Sequence, residues 1–148
     1  MKPGSQARSA ARLAAVQALY QLDMENTPMA MLLDEFHMHR LGAEIEDEQY
    51  AEADVAFFDD VVKGVDARRA ELDALIEDRL ADGWTLARLD KTMLQILRAG
   101  AYELVARQDV PKASSISEYV DVAHAFFEAR EAKFVNGLLD AIARQVRG

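Results

Sequence analysis

At 148 residues the chain has the size of one domain and is long enough to bury a core. Hydrophobic residues make up 51% and charged residues 29%, as in a globular protein, and the absence of cysteine excludes a disulfide framework, a thiolate metal site and a cysteine nucleophile. The net charge of −9 is concentrated: residues 1–22 carry +3 from Lys2, Arg8 and Arg12, residues 23–62 carry −11, and residues 63–148 carry −1. Surface charges are screened over about 8–10 Å at physiological salt, so a local basic patch attracts phosphates despite the overall sign. The acidic block reads either as solvated surface or as a docking face for a basic partner. No apolar run approaches the roughly 20 residues of a membrane helix, and no signal-peptide core opens the chain, so a cytoplasmic protein away from membranes is expected.

Helical periodicity dominates from the start. Residues 8–24 predict a first helix, with Ala11, Ala15, Leu19 and Leu22 recurring on one face. Asn26-Thr27-Pro28 predicts a stop and restart, with Thr27 as cap and Pro28 in the first helical position of a second helix reaching Met38. Residues 41–49 are polar and read as a loop. A third helix is expected from Tyr50 to Gly64, with Val55, Phe58, Val61, Val62 and Val65 facing inward, then a break near Gly64–Asp66. Leu72, Leu75, Ile76 and Leu80 mark a fourth helix, and Gly83 suits the left-handed position beyond its end. Residues 86–107 predict a fifth, with Leu89, Met93, Leu97, Ala101 and Leu104 as its stripe, ended by Asp109-Val110-Pro111. Ser115-x-x-Glu118 has the form of a capping box opening a sixth helix, and Arg130–Arg147 predicts a seventh. No strand alternation or internal repeat is present. The expected fold class is all-α, seven helices in two small bundles, within a single domain over residues 1–148.

On a wheel of roughly 100° per residue, the last helix has two faces. Val135, Leu138, Leu139, Ile142 and Val146 form the core side; Arg130, Lys133, Phe134 and Gly137 form another. A ring beside two cations, with a glycine one turn on, is the composition of a nucleic-acid contact, in which bases stack on the ring and cations hold phosphates. The same residues equally suit packing, with Phe134 under a neighbouring helix and Gly137 allowing close helix contact. In the first helix Arg8 and Arg12 share a face, and Arg12, Val16 and Tyr20 form a ridge, behind an arm containing Lys2. Catalysis and metal binding find little support. His37 and His39 point to different faces of a helix, His124 stands alone, no serine has a paired histidine in view, no phosphate-cradling glycine loop occurs, and no cofactor is implied.

Three stretches carry a resemblance. They are Arg12–Gln21 (RLAAVQALYQ), Leu94–Leu104 (LQILRAGAYEL) followed by Asp109-Val110-Pro111, and Ile116–Ala123 (ISEYVDVA) followed by Lys133–Asp140 (KFVNGLLD). In order and spacing, over nearly the whole chain, they resemble the NusB family, and the Lys-Phe-Val-Asn-Gly run is the most specific part. The resemblance implies an all-helical fold of two small bundles. It implies binding to boxA, a short single-stranded RNA element of ribosomal RNA transcripts. It also implies a heterodimer with NusE, a small-subunit ribosomal protein, joining an antitermination complex on RNA polymerase. Carried over residue by residue, the RNA contacts fall on Lys2, Arg8, Arg12, Tyr20, Lys133 and Phe134; Arg130 joins them from the wheel. Ser9 and Ala10 occupy slots that are arginine in better-known members, so the basic arm is thinner and greater reliance on NusE for RNA affinity is expected. Ser117, where asparagine is common, is expected to affect helix capping only. Two alternatives stand beside this reading. One is a protein adaptor or homodimer without direct RNA binding. The other is the front domain of a ribosomal RNA cytosine methyltransferase, which requires a following nucleotide-binding domain not expected here.

Overall fold

The computed structural model describes residues 3–38 and 51–148. Seven α-helices occur among them: α1 Pro3–Glu25, α2 Met29–Phe36, α3 Ala51–Ala67, α4 Arg69–Glu77, α5 Lys91–Ala106, α6 Lys112–Phe126 and α7 Ala129–Arg147, with a 3₁₀ turn at Leu86–Arg88. The fold is all-α, and the chain divides into two compact units, Met1–Gly64 and Val65–Gly148. Among the described residues, no helix is long and apolar enough to cross a membrane.

In the first unit, α1 contributes small residues, with Ala7, Ala11, Ala14, Ala15 and Ala18 buried beside Val16 and Leu19. Larger residues come from α2 (Leu32, Leu33, Phe36) and α3 (Phe57, Phe58, Val61, Val62), and the Phe36 and Phe58 rings stack with centroids 5.4 Å apart. Helix α1 stops at Asn26, which takes a left-handed φ of 56° while its N–H still reaches Leu22 O. Thr27 does not cap α2; Pro28 holds the N-cap position and no side chain caps it. Proline's fixed φ suits the extended entry as well as the first helical turn.

The second unit is built around α5. Every residue from Met93 to Leu104 is buried, so this helix is covered on all sides rather than on the single expected stripe. It begins at Asp90, not Leu86: the Asp90 carboxylate accepts from the N–H groups of Thr92 (2.8 Å) and Met93 (3.1 Å), a cap the periodicity did not reveal. Gly83 is left-handed, at φ 85°, but it lies in a turn beyond Glu77, where α4 ends, and not just past the helix as expected. Helix α3 runs through the expected break to Ala67, because Gly64 keeps helical geometry and Val65 is core.

Burying α5 all round also buries its polar residues, and each finds partners. The Arg98 guanidinium grips Asp73 of α4 through two bonds, of 2.8 and 2.9 Å. Glu103, fully buried, accepts from Ser115 Oγ (3.1 Å) and Tyr119 Oη (2.6 Å) of α6. This corrects the reading of Ser115-x-x-Glu118 as a capping box: α6 starts three residues earlier at Lys112, and the Ser115 hydroxyl faces inward to Glu103. Ser117 likewise lies exposed inside α6 and caps nothing at its start. The carbonyls at the end of α5 are met by Arg147, which donates to the backbone oxygens of Glu103, Leu104, Arg107 and Val110 at 2.8–3.1 Å. Close approach of α5 and α7 requires Gly100, where a Cβ would sit 2.7 Å from Leu139 Cδ1.

Tyr119→Phe removes one of the hydroxyl donors to a fully buried carboxylate. It is expected to cost about 1–3 kcal/mol, read as a lower urea midpoint with an unchanged slope.

Candidate nucleic-acid interface

Helix α7 separates its two faces cleanly. Ala132, Val135, Leu138, Leu139, Ile142 and Ala143 are buried, while Lys133, Asn136 and Gly137 are exposed. Phe134 is 39% exposed, and the Arg130 side chain is 91% exposed with only a 3.2 Å contact to Glu131 Oε2. The ring singled out on the wheel is therefore accessible rather than sealed under a neighbouring helix. A Cβ at Gly137 would meet nothing within 4 Å, so this glycine serves no helix contact. That role belongs to Gly100. A glycine in a solvent-facing helix interior costs about 1 kcal/mol against alanine, and its benefit here is a bare stretch of backbone one turn from the ring.

Two hollows flank this face within the second unit. One, of about 610 Å³, is lined by His124, Arg130, Lys133 and Asn136 together with small and aliphatic residues of α6 and α7. It offers cations and an amide, the chemistry that holds phosphate oxygens. The other, of about 690 Å³, is lined by Leu80, Trp84, Arg88, Met93, Phe127, Phe134 and their neighbours. Arg130 borders both. Trp84 is 49% exposed, with the Arg88 guanidinium 5.0 Å from the centre of its ring. Sequence reasoning passed over Trp84 and Arg88; a lone tryptophan beside a turn glycine, off every helical stripe, was the available signal. The Glu131 carboxyl is held below the usual carboxylate range by its own backbone N–H and then by Arg130.

In the first unit the expected ridge is only partly a surface. Tyr20 is 40% exposed, but Val16 is fully buried and Arg12 is 4% exposed. The Arg8 and Arg12 guanidinium carbons lie 4.7 and 4.9 Å from the centre of the Phe57 ring, both attracted to its face. Arg12 is thus an internal support, a correction to its placement on a surface ridge, whereas Arg8 keeps part of its side chain accessible. Lys2 lies outside the described residues, as do residues 39–50, which include His39 and part of the acidic segment. Where that segment is described, Asp59 bonds His37 Nε2 at 2.7 Å, so His37 has a carboxylate partner. Among the described residues, no group of three or more histidines and carboxylates is arranged to hold a metal.

Known proteins match this arrangement along almost its full length. The NusB family profile matches residues 9–144. The transcription antitermination protein NusB of Novosphingobium aromaticivorans is 77% identical over 141 residues, 95% of each chain. Among solved structures, T. maritima NusB superposes with a TM-score of 0.76 at 29% identity, covering 93% of this chain and 91% of its own. A structure of the antitermination factors NusB and NusE with double-stranded RNA contains a chain with the same fold, at TM-score 0.80 and 24% identity, covering 95% of this chain and 98% of that one. The continuous match over both helical units, and the identity to a curated relative, establish that this chain belongs to the NusB family.

Proposed function

We propose that this chain is a transcription antitermination factor, not an enzyme, that binds boxA-type single-stranded RNA together with NusE in the cytoplasm and joins the antitermination complex on RNA polymerase. The observation carrying this reading is the accessible Phe134 ring flanked by the exposed cations Arg130 and Lys133 on an otherwise core-directed helix. A ring stacks on any unpaired base, and the adjacent cations neutralise its phosphates. Tyr20, Arg8 and Lys2 are further RNA contacts in this reading, with Arg12 acting from beneath by holding Phe57 and so the setting of Arg8. The 77% identical relative bears the name of an antitermination protein, and the fold is shared with a NusB solved with NusE and RNA. The family profile crosses both units, which supports treating the whole chain as one RNA-binding module.

Titration of a boxA oligonucleotide tests the reading. Phe134→Ala is expected to lose about 1–3 kcal/mol of binding. Lys133→Ala is expected to weaken binding and to flatten the plot of log affinity against log salt by about 0.7, the value for one phosphate contact on a single strand. Unchanged affinity in both folded variants would favour the adaptor or homodimer reading. Only three basic residues precede residue 22, so NusE is expected to tighten RNA binding measurably; equal, tight binding by the chain alone refutes that dependence. Gly137→Ala is expected to raise stability by about 0.5–1 kcal/mol in thermal unfolding, since its Cβ has open space, while weakening RNA binding.

A further inference from the structure

The cations of α7 account for phosphate contacts but leave the larger hollow unused. Its walls are aromatic and thioether surface from Trp84, Phe127, Phe134 and Met93, and its volume of about 690 Å³ accommodates a nucleotide. Trp84 is 49% exposed, so part of its indole surface is open to a ligand. Arg88 covers one face of the indole, yet Trp84 still borders the cavity. The polar groups of the cavity then decide what it takes. Asp90 is engaged by the Thr92 and Met93 N–H groups. Glu131 Oε1 is different: it is buried and has no hydrogen-bond partner. A wholly apolar ligand would leave that oxygen stranded, and a phosphodiester has no hydrogen to donate to it. A flat solute with apolar faces and an N–H on its edge meets both requirements, and nucleobases have that form. Phe134 and Arg130 make the cavity continuous with the exposed α7 face, and on the far side of Arg130 lies the cationic hollow suited to the adjoining phosphate.

We propose that this cavity receives one everted base of the bound RNA, stacked beside Trp84 and donating an edge N–H to Glu131 Oε1. The proposal rests on the RNA-binding reading and assigns it a base-specific subsite. Trp84 is the only tryptophan in the chain, so fluorotryptophan incorporated here gives one fluorine NMR resonance, with or without unlabelled NusE. RNA binding is followed in parallel by the anisotropy of end-labelled boxA oligonucleotides, intact or with one base removed at each position in turn. The Trp84 resonance is expected to shift in step with the intact RNA. One abasic position should abolish the shift and weaken binding about 5- to 150-fold. Glu131→Ala should weaken binding of the intact RNA and leave that abasic RNA unaffected. Tight RNA binding with an unmoved Trp84 resonance, or a shift that survives every abasic substitution, overturns the pocket while leaving RNA binding intact. Absence of any anisotropy change, with NusE present, overturns the RNA-binding reading and the pocket with it.

Discussion

Full burial of α5 is the constraint on which the second unit depends. A helix enclosed on every side must have its polar side chains satisfied by neighbours, because water cannot reach them. Arg98 therefore fixes α4 through Asp73, and Glu103 fixes α6 through Ser115 and Tyr119. The end of α5 is closed by Arg147 at the far end of α7. These polar contacts set the rotation and height of each surrounding helix, which nonpolar packing alone leaves loosely defined. Gly100 then lets Leu139 approach, seating α7 so that its other face is directed outward.

That seating separates two kinds of residue within one family signature. Arg98, Gly100, Glu103 and Tyr119 belong to the recognisable stretches, yet they hold helices together. Lys133, Phe134 and Gly137 lie in the same signature but turn to the outer face: two are exposed side chains, and the third is a bare glycine with open space above it. Residues that cost stability or solubility without returning packing are those expected to serve binding.

The acidic character of the chain is compatible with this. Its negative charge is concentrated in residues 23–62, and where that segment is described it is partly used internally, as in the Asp59–His37 bond. The same region supplies Phe57, whose ring faces both Arg8 and Arg12. The N-terminal cations thus lie against an aromatic face.

Much was legible without coordinates, because amphipathic periodicity records which face a helix buries. The all-α class, the core stripes of α1 and α7, and the separate α7 face holding Arg130, Lys133 and Phe134 follow from residue order at helical spacing, whereas the exposure of Phe134, which suited packing equally, and the burial of α5 on every side do not. What periodicity does not encode is the partner a polar residue finds across the fold. Ser115 and Glu118 have the spacing of a cap, but burial turned Ser115 toward Glu103. Arg12 has the composition of a surface cation, but Phe57 drew it inside. Trp84, in a turn without periodicity, gained meaning only when folding placed it on the same cavity wall as Phe134 and Glu131. Local sequence determined the helices and their faces; the cavity and the buried polar pairs were decided by contacts between residues distant in the chain, which no local pattern specifies.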